Sequence, residues 1–331
     1  MNITIIGGGA WGTTLAQVLT DNGHQPLIYD INQTTIDIIN THRHPFYDCQ
    51  IPTNIKATNH LDEALAFADW LVLSMPSKAV RDALSAIKPH LFRPVVIINV
   101  AKGIEPDTSK RISEITKEVI PPEFLKGYVV LTGPSHAEEV ILRRPTLLVS
   151  ASEDEALAKQ VRQVFNNEDY LRIYTSTDVI GCELGGAVKN AIAVISGACT
   201  GLNLGENARA AVITRGIVEI VRVVEAMGGR KETAFGLTGI GDLIVTASSE
   251  HSRNFRAGKK IGQGMTVAQI YAEEKQTIEG IRTIEAMHHL AAQKGIELPL
   301  IEAAYGILQG RVSASEATSH LLKRTLKSED F

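Results

Sequence analysis

The sequence predicts an α/β protein whose N-terminal half forms a doubly wound, mostly parallel sheet and whose C-terminal half is all-α. Three observations predict this fold class. Short β-branched runs alternate with helical patterns through the first half, which is typical of βα units on a parallel sheet. A glycine-rich turn directly follows the first predicted strand. From about residue 178, strand-like runs nearly vanish and Ala-rich segments with helical periodicity take over.

Six apolar runs are predicted to be the strands of the sheet. Their apolar residues are nearly continuous, as expected for strands covered on both faces. The runs are ITII (3–6), LIY (27–29), WLVLS (70–74), VVIINV (95–100), YVVLT (128–132) and TLLVS (146–150). Helical stretches lie between most of them, namely GTTLAQVLTDNG, SKAVRDALSAIKPHL and TSKRISEITKEVI.

The length of 331 residues exceeds what one hydrophobic core usually serves, so two domains are expected. We predict a dinucleotide-binding domain over 1–177 and a helical substrate and dimerisation domain over 178–331. The second contains the helical segments 183–199, 207–227 and 281–294. No low-complexity linker separates the halves, which predicts tight packing between them.

The composition is that of a soluble globular protein. Hydrophobic residues make up 44% and charged residues 21%, and 33 basic against 37 acidic side chains give a net charge of −4. This balance argues against a general nucleic-acid or membrane surface. No apolar run reaches the ~18 residues of a membrane-spanning helix, so no membrane insertion is expected. The ten histidines show no metal-binding spacing, so no metal is assigned.

Cysteine usage and the N-terminus predict a cytoplasmic location. Cys49, Cys182 and Cys199 are widely spaced and form no CxxC pattern, which indicates a reducing compartment. The N-terminus runs straight into a strand, without the basic and apolar regions of a secretory signal.

The glycine turn predicts a Rossmann-like dinucleotide site. Gly7, Gly9 and Gly12 lie in G-x-G-x-x-G register after a strand and before a helix. The first permits the tight turn, the second admits a pyrophosphate, and the third allows close helix–strand packing. The helix N-terminus then offers N–H groups to the phosphates. Ala10 and Trp11 lie within this loop, and Trp11 is expected to form a wall of the site.

Asp30 favours NAD over NADP as the cofactor. It ends the second predicted strand, 21 residues after Gly9, where Rossmann folds place the side chain that meets the adenosine ribose. A carboxylate there accepts the ribose hydroxyls of NAD but repels the 2′-phosphate of NADP. In the alternative interpretation, Asp30 faces solvent or caps the segment NQTTIDIIN.

Two further strand ends carry candidate ligand contacts, because open α/β sheets bind ligands at the carboxyl ends of their strands. Lys102 follows a central strand in NVAKGIE. In LTGPSHAEEV, Gly133 ends a strand, Ser135 is predicted to cap the next helix, and Ala137 follows. The same geometry directs Ser135 and Ala137 toward a cofactor.

Lys189 lies in the otherwise apolar stretch ELGGAVKNAIAVISG. Helical side chains lean toward the N-terminus, which places Lys189 over Gly185 and Gly186. These glycines cost helix stability, so something is expected to approach the backbone there. A lysine in a partly dry site can donate a proton to a carbonyl or take one from an alcohol. The alternative is a lysine that extends to water.

A second polar cluster lies in LTGIGDLIVTASSEHSRNFRAGKK. Asp242 follows two glycines and is expected to orient the Lys189 ammonium. Ser252, Arg253 and Asn254 together offer a hydroxyl, a guanidinium and an amide, which suit phosphate oxygens. A solvated basic loop is the other interpretation.

Several stretches together resemble the bacterial type of NAD(P)-dependent glycerol-3-phosphate dehydrogenase. The matching pieces span residues 7 to 283, and they are GGGAWGTTLA, SMPS, AKGIE, TGPSHAEEV, DVIGCELGGAVKNAIAV, NARAAVITRG, GLTGIGDLIVTASS, SRN and EGIRT. The resemblance implies reversible reduction of dihydroxyacetone phosphate to sn-glycerol 3-phosphate with NAD or NADP, feeding phospholipid synthesis, in a cytoplasmic homodimer.

The resemblance also implies roles for individual residues. Lys189 resembles the family's proton donor and acceptor, and Lys102 and Asp242 resemble its other catalytic residues. The implied substrate contacts are Lys102, Gly133, Ser135, Lys189, Asp242, Thr246, Ser252, Arg253 and Asn254. The implied cofactor contacts outside the glycine turn are Tyr47, Lys102, Ser135, Ala137, Arg253 and Glu279. The family commonly has a basic residue where this chain has Asp30, which puts NADP use in question.

Two other functions stay open at this point. One is a related β-hydroxyacid or ketopantoate-type dehydrogenase, whose carboxylate substrate would not need Ser252, Arg253 and Asn254. The other is a protein that binds NAD as a sensor without turnover, for which Lys189 over two glycines has no evident use.

Overall fold

The computed structural model describes residues 1–105, 108–273, 278–326 and 328–329. The chain forms two compact units, the first made of Met1–Lys102 with Lys110–Val179 and the second of Gly103–Ser109 with Ile180–Phe331. The division along the chain falls two residues after the predicted boundary at 177 and 178. The prediction also placed Gly103–Ser109 in the first unit. That segment belongs to the second because Ile104 is buried in its helical core.

The first unit contains one sheet of eight strands: β1 (Asn2–Ile6), β2 (Gln25–Tyr29), β3 (Lys56–Thr58), β4 (Trp70–Leu73), β5 (Val95–Asn99), β6 (Leu125–Thr132), β7 (Thr146–Ala151) and β8 (Leu171–Ser176). Their order is β3-β2-β1-β4-β5-β6-β7-β8. All neighbours pair in parallel except β6 and β7. The predicted doubly wound, mostly parallel sheet is confirmed.

The chain direction across the sheet reverses at β1. The strands β2 and β3 lie on one side of it, and β4 and all later strands lie on the other. Ile6, the last residue of β1, pairs with Leu73 at the end of β4. The carboxyl ends of β1 and β4 therefore form a topological switch point, where open α/β sheets bind their ligands.

Two strands, β3 and β8, were not predicted from the sequence. The edge strand β3 has only three residues, too few for an apolar run. In β8, buried Leu171 and Ile173 alternate with exposed Arg172 and Tyr174, so its pattern is half polar. Pairing with β2 and β7, respectively, makes these segments strands.

Seven α-helices accompany the sheet: α1 (Ala10–Asp21), α2 (Gln33–Asn40), α3 (Leu61–Phe67), α4 (Val80–Ile87), α5 (Ile112–Val119), α6 (Ala137–Val140) and α7 (Glu155–Phe165). The core between helices and sheet is aliphatic and includes Ile5, Leu15, Val72 and Ile98, all with no exposed surface. Burial of such side chains contributes about 1.5 to 3 kcal/mol each, which makes this core the main support of the unit.

Every named element that the structure describes in the second unit is a helix, which confirms the predicted all-α half. Its helices are α8 (Val179–Gly201), which begins at the division, α9 (Glu206–Ala226), α10 (Lys231–Ala234), α11 (Asp242–Ala247), α12 (Arg253–Gly262), α13 (Val267–Glu273), α14 (Glu279–Lys294), α15 (Pro299–Leu308) and α16 (Ala314–Leu322). A π-helical turn, Leu237–Gly241, precedes α11.

Helix α8 is the central helix of this unit. An 18-residue window in it has a mean hydropathy of 1.4, which is long and apolar enough to cross a membrane by composition. The expectation that no segment reaches this length and hydropathy was therefore wrong. However, 89% of that window is buried inside the protein, because the other helices pack around α8.

Glycines form the contact between α8 and α12. A Cβ on Gly197 would lie 2.0 Å from the carbonyl oxygen of Phe255, and one on Gly258 would lie 1.8 Å from that of Val194. Gly201 and Gly262 show the same pattern one turn further along. Two backbones can approach this closely only without side chains. The glycines therefore fix the position of α12 against α8.

A buried carboxylate joins α9 to α15. Glu219 is 2% exposed and accepts hydrogen bonds from the N–H groups of Leu300 at 2.5 Å and Ile301 at 3.2 Å. It thereby replaces the missing side-chain cap of α15. Burial raises the pKa of Glu219 to about 7, although both N–H groups act in the opposite direction.

Candidate functional site

The glycine turn after β1 has one position open to a ligand. Gly7 has a φ of 111°, and a Cβ there would lie 2.4 Å from the carbonyl oxygen of Ser74. A Cβ on Gly12 would lie 2.0 Å from the carbonyl oxygen of Gly7, whereas one on Gly9 would meet nothing within 4 Å. The outer glycines thus serve chain packing, and Gly9 leaves room for an incoming group.

The N-terminus of α1 lacks a side-chain cap, because Gly9 is its N-cap residue. Ala10 begins the helix, and Trp11 is partly buried against the core of the first unit. An uncapped helix start next to open space is suited to an anion such as a pyrophosphate. The residues present therefore fit a dinucleotide.

Asp30 faces the glycine turn. Its Oδ2 accepts a hydrogen bond from the N–H of Gly8 at 2.6 Å, and its Oδ1 accepts one from Asn32 at 2.8 Å. Asn32, not Asp30, caps α2 through the N–H groups of Thr34 and Thr35. Asp30 is therefore not the N-cap of α2, although its Oδ1 binds the first N–H of the segment NQTTIDIIN, and its Oδ2 lies beside the turn that would hold a dinucleotide.

Lys102 and Ser135 converge on one backbone oxygen. The Lys102 Nζ donates to the carbonyl oxygen of Gly133 at 2.7 Å, and the Ser135 hydroxyl donates to the same atom at 3.1 Å. Gly133 follows β6 with a φ of 139°. The prediction that Ser135 caps α6 was wrong, because the chain turns one residue later and His136 is the N-cap, without a side-chain cap bond. Ala137 is the first residue of α6 and is buried.

Lys189 is held inside the second unit by a carboxylate and a hydroxyl. Its Nζ lies 3.0 Å from Asp242 Oδ1 and 2.7 Å from Thr246 Oγ1. The Thr246 hydroxyl also lies 2.6 Å from the carbonyl oxygen of Asp242. The side chains of Lys189 and Asp242 are 6% and 2% exposed. Removing one partner of a buried ion pair of this kind lowers the free energy of unfolding by several kcal/mol.

Gly185, one of the two glycines beneath Lys189, admits the close approach to the α8 backbone that the sequence predicts. A Cβ on Gly185 would lie 2.9 Å from the carbonyl oxygen of Thr238. The group that approaches the α8 backbone there is thus the π-helical turn Leu237–Gly241 and not a ligand. This close approach brings α11, which follows the turn and carries Asp242 and Thr246, next to Lys189.

The N-terminus of α12 carries the predicted phosphate-binding residues. Ser252 is its N-cap, and its hydroxyl accepts a hydrogen bond from the N–H of Phe255 at 3.2 Å. Arg253 begins the helix and is exposed. The helix start adds its own N–H groups and partial positive charge to the guanidinium, an arrangement suited to an anion.

Asn254 has a bridging role that was not predicted. Its Nδ2 donates to Asn190 Oδ1 at 2.9 Å, and its Oδ1 accepts from the N–H of Gly280 at 2.9 Å. It therefore ties α12 to α8 and to the first turn of α14, where Glu279 is the first residue. Asn190 was not predicted as a site residue. Its position next to Lys189 was the one signal in the sequence that could have identified it.

A cavity of about 540 Å³ lies elsewhere in the second unit, between α8, α9, α15 and α16. Its walls are mostly aliphatic, with Ile195, Leu202, Ala304 and Leu321 as examples. None of the predicted site residues lines it. The cavity therefore shares no lining residue with the polar clusters around the glycine turn and Lys189.

The structure thus assembles the predicted residues into separate groups. The glycine turn and Asp30 form one, and Lys102, Gly133 and Ser135 form another, both in the first unit. Lys189, Asp242 and Thr246 form a third in the second unit, which also contains the start of α12. A dinucleotide-type turn and a buried proton-carrying pair define a nicotinamide-dependent oxidoreductase.

Comparisons with known proteins identify its family. Models of the N- and C-terminal parts of NAD-dependent glycerol-3-phosphate dehydrogenase match residues 2–158 and 178–319. The chain belongs to the NAD-dependent glycerol-3-phosphate dehydrogenase family. A glycerol-3-phosphate dehydrogenase (NAD(P)+) of Acholeplasma laidlawii is 58% identical, with 99% of each chain covered. One of Staphylococcus aureus is 44% identical at the same coverage.

Solved structures agree with this assignment. A glycerol-3-phosphate dehydrogenase from Coxiella burnetii has a TM-score of 0.90 and 33% identity, with 97% of this chain and 98% of that one covered. A ketopantoate reductase from Ralstonia eutropha has a TM-score of 0.62 at 16% identity, with 96% and 100% covered. The latter likeness shows a shared fold alone.

Proposed function

We propose that this chain catalyses the reversible reduction of dihydroxyacetone phosphate to sn-glycerol 3-phosphate with NADH or NADPH, which supplies phospholipid synthesis. The observation that carries the proposal is the buried Lys189 ammonium against Asp242 and Thr246. The test is the loss of NADH absorbance when dihydroxyacetone phosphate is added. A protein that binds NADH without turnover would show no loss and would instead be a sensor.

Lys189 is the proton donor in this proposal. A nicotinamide cofactor held at the glycine turn would supply the hydride chemistry, and the Lys189 ammonium gives its proton to the carbonyl oxygen of the substrate. Asp242 and Thr246 hold the Nζ in place. This lowers the entropic cost of orienting the proton donor for the transfer. In the reverse direction the lysine takes the proton from the hydroxyl.

Other residues are assigned by the family resemblance. Lys102, Gly133 and Ser135 are assigned to substrate contact, and Thr246 is a further candidate. Trp11, Tyr47, Ala137 and Glu279 contact the cofactor, and Lys102, Ser135 and Arg253 serve both ligands. Dinucleotide binding is the main role proposed for the first domain, and substrate binding and dimer formation are the main roles proposed for the second, although some of the assigned residues contact the other ligand. The homodimer and the cytoplasmic location rest on the resemblance as well.

The phosphate of the substrate is assigned to Ser252, Arg253 and Asn254. For Arg253→Ala we expect a KM for dihydroxyacetone phosphate about ten- to a hundredfold higher, because a charged hydrogen bond to phosphate contributes ~1.5 to 3 kcal/mol. Steady-state kinetics with dihydroxyacetone, which lacks the phosphate, provide the control. An equal rise in KM for both substrates would show that Arg253 does not recognise the phosphate.

Asp30 is assigned to cofactor choice. We expect kcat/KM to favour NADH over NADPH, because the carboxylate beside Gly8 faces the 2′-position of the adenosine ribose in a Rossmann-type complex. Asp30→Ser should reduce the difference between the two kcat/KM values, mainly by raising kcat/KM for NADPH. Parallel assays with the two cofactors measure this, and a wild-type enzyme that prefers NADPH would contradict the assignment.

A further inference from the structure

His44 connects the loop after α2 to the start of α1. The residue is 4% exposed, and its ring Nδ1 accepts hydrogen bonds from the N–H groups of Phe46 and Tyr47, both at 3.1 Å. Its backbone N–H donates to the carbonyl oxygen of Cys49 at 3.0 Å. Hydrogen bonds to His44 therefore hold residues 44–49 in their loop conformation.

These contacts determine the tautomer. Because Nδ1 accepts two N–H groups, the ring proton lies on Nε2. The Nε2 is 3.2 Å from the carbonyl oxygen of Ala10, the first residue of α1, and donates to it. Burial lowers the pKa of His44 to about 4, although the bond to Ala10 and the nearby carboxylate of Glu138 on α6 oppose this shift. The imidazole is therefore neutral at physiological pH.

The same ring sets the position of Tyr47. The two rings stack with centroids 4.6 Å apart and an angle of 25° between their planes. Tyr47 and Trp11 both pack, partly buried, against the core of the first unit. The His44 side chain thus contacts both the loop that carries Tyr47 and the backbone of the glycine turn that carries Trp11.

We propose that His44 is a positioning residue for the dinucleotide, which holds Tyr47 and the first turn of α1 in the arrangement that binds the cofactor. The inference rests on the proposed function, because it needs the glycine turn to bind NAD(H). The His44 side chain is buried and contacts the backbone of Ala10. We therefore expect it to act through residues 44–49 and the glycine turn, without contact to the reacting atoms.

The test uses three variants of the full-length protein. His44→Asn keeps an acceptor near the Nδ1 position, His44→Gln keeps a donor near Nε2, and His44→Ala removes both. We expect His44→Ala to raise the Kd and KM for NADH roughly tenfold or more, because the variant loses three hydrogen bonds of the imidazole. The Asn and Gln variants should lie between it and the wild type. At saturating NADH, kcat and the KM for dihydroxyacetone phosphate should stay within about twofold of wild type.

The control variant is His24→Ala, which removes a half-buried histidine near the other end of α1. Its Kd for NADH should equal that of the wild type. If His44→Ala does not fold, the Asn and Gln variants are decisive, and wild-type affinity in both would overturn the inference. Equal losses in NADH affinity, kcat and substrate KM would indicate a merely structural role and would overturn it too. A wild-type protein that does not bind NADH would instead overturn the proposed function, and this inference with it.

Discussion

Replacing Lys189 with methionine is expected to lower kcat about a hundredfold or more, the usual scale for loss of a general acid. Methionine has a similar length but no proton to give. Binding of NADH should survive, because the glycine turn and Asp30 belong to the other unit. Stopped-flow kinetics and fluorescence titration with NADH measure the two quantities on the same preparation.

The substitution also leaves the Asp242 carboxylate buried without its ammonium partner, which destabilises a fold by several kcal/mol. The double variant Lys189→Met with Asp242→Asn removes both charges and serves as the control for this effect. It should melt closer to the wild type and still lack activity. A folded single or double variant with near-normal turnover would exclude Lys189 as the proton donor.

The second large effect is expected from Gly258→Ala. The added Cβ would lie 1.8 Å from the carbonyl oxygen of Val194, so α12 must move away from α8. We expect a loss of about 3 kcal/mol in the free energy of unfolding, at the upper end for overpacking. Because α12 begins with Arg253 and Asn254, the KM for dihydroxyacetone phosphate should rise as well. Urea unfolding and steady-state kinetics measure the two effects.

Gly306→Ala is the matched control for this substitution. Gly306 lies inside α15, and a Cβ there would meet only the side chain of Val312, at 3.3 Å. The change should leave activity unaltered and stabilise the helix by up to about 1 kcal/mol. If Gly258→Ala proved as stable as Gly306→Ala, the glycine contact between α8 and α12 would have no energetic importance.

The two expectations are linked through α8. This helix carries Lys189, and its glycines hold α12 at the distance of closest approach. Asn254 adds a hydrogen bond to Asn190, the residue after Lys189. The spacing between the proposed proton donor and the proposed phosphate-binding residues therefore depends on backbone contacts within one unit. This explains why small residues predominate in the helix that carries Lys189.

The sequence alone determined the features whose causes are local. The glycine turn, the central strands and the long helices of the second half follow from residue types within a few positions of one another, so periodicity and glycine spacing predicted them. The family motifs identified Lys189, Asp242 and the start of α12. The short edge strand β3 and the half-polar β8 have too weak a local pattern, and pairing with neighbours made them strands.

Only the tertiary structure decided which groups meet across long stretches of chain. Lys189 and Asp242 are 53 residues apart and form an ion pair because the turn before α11 packs on Gly185. Ser135 donates to Gly133 and does not cap a helix, since the chain turns one residue later than its sequence suggests. Asp30 contacts Gly8 because β1 and β2 are neighbours. Side-chain partners depend on which backbones lie next to each other, and that depends on the packing of the whole unit.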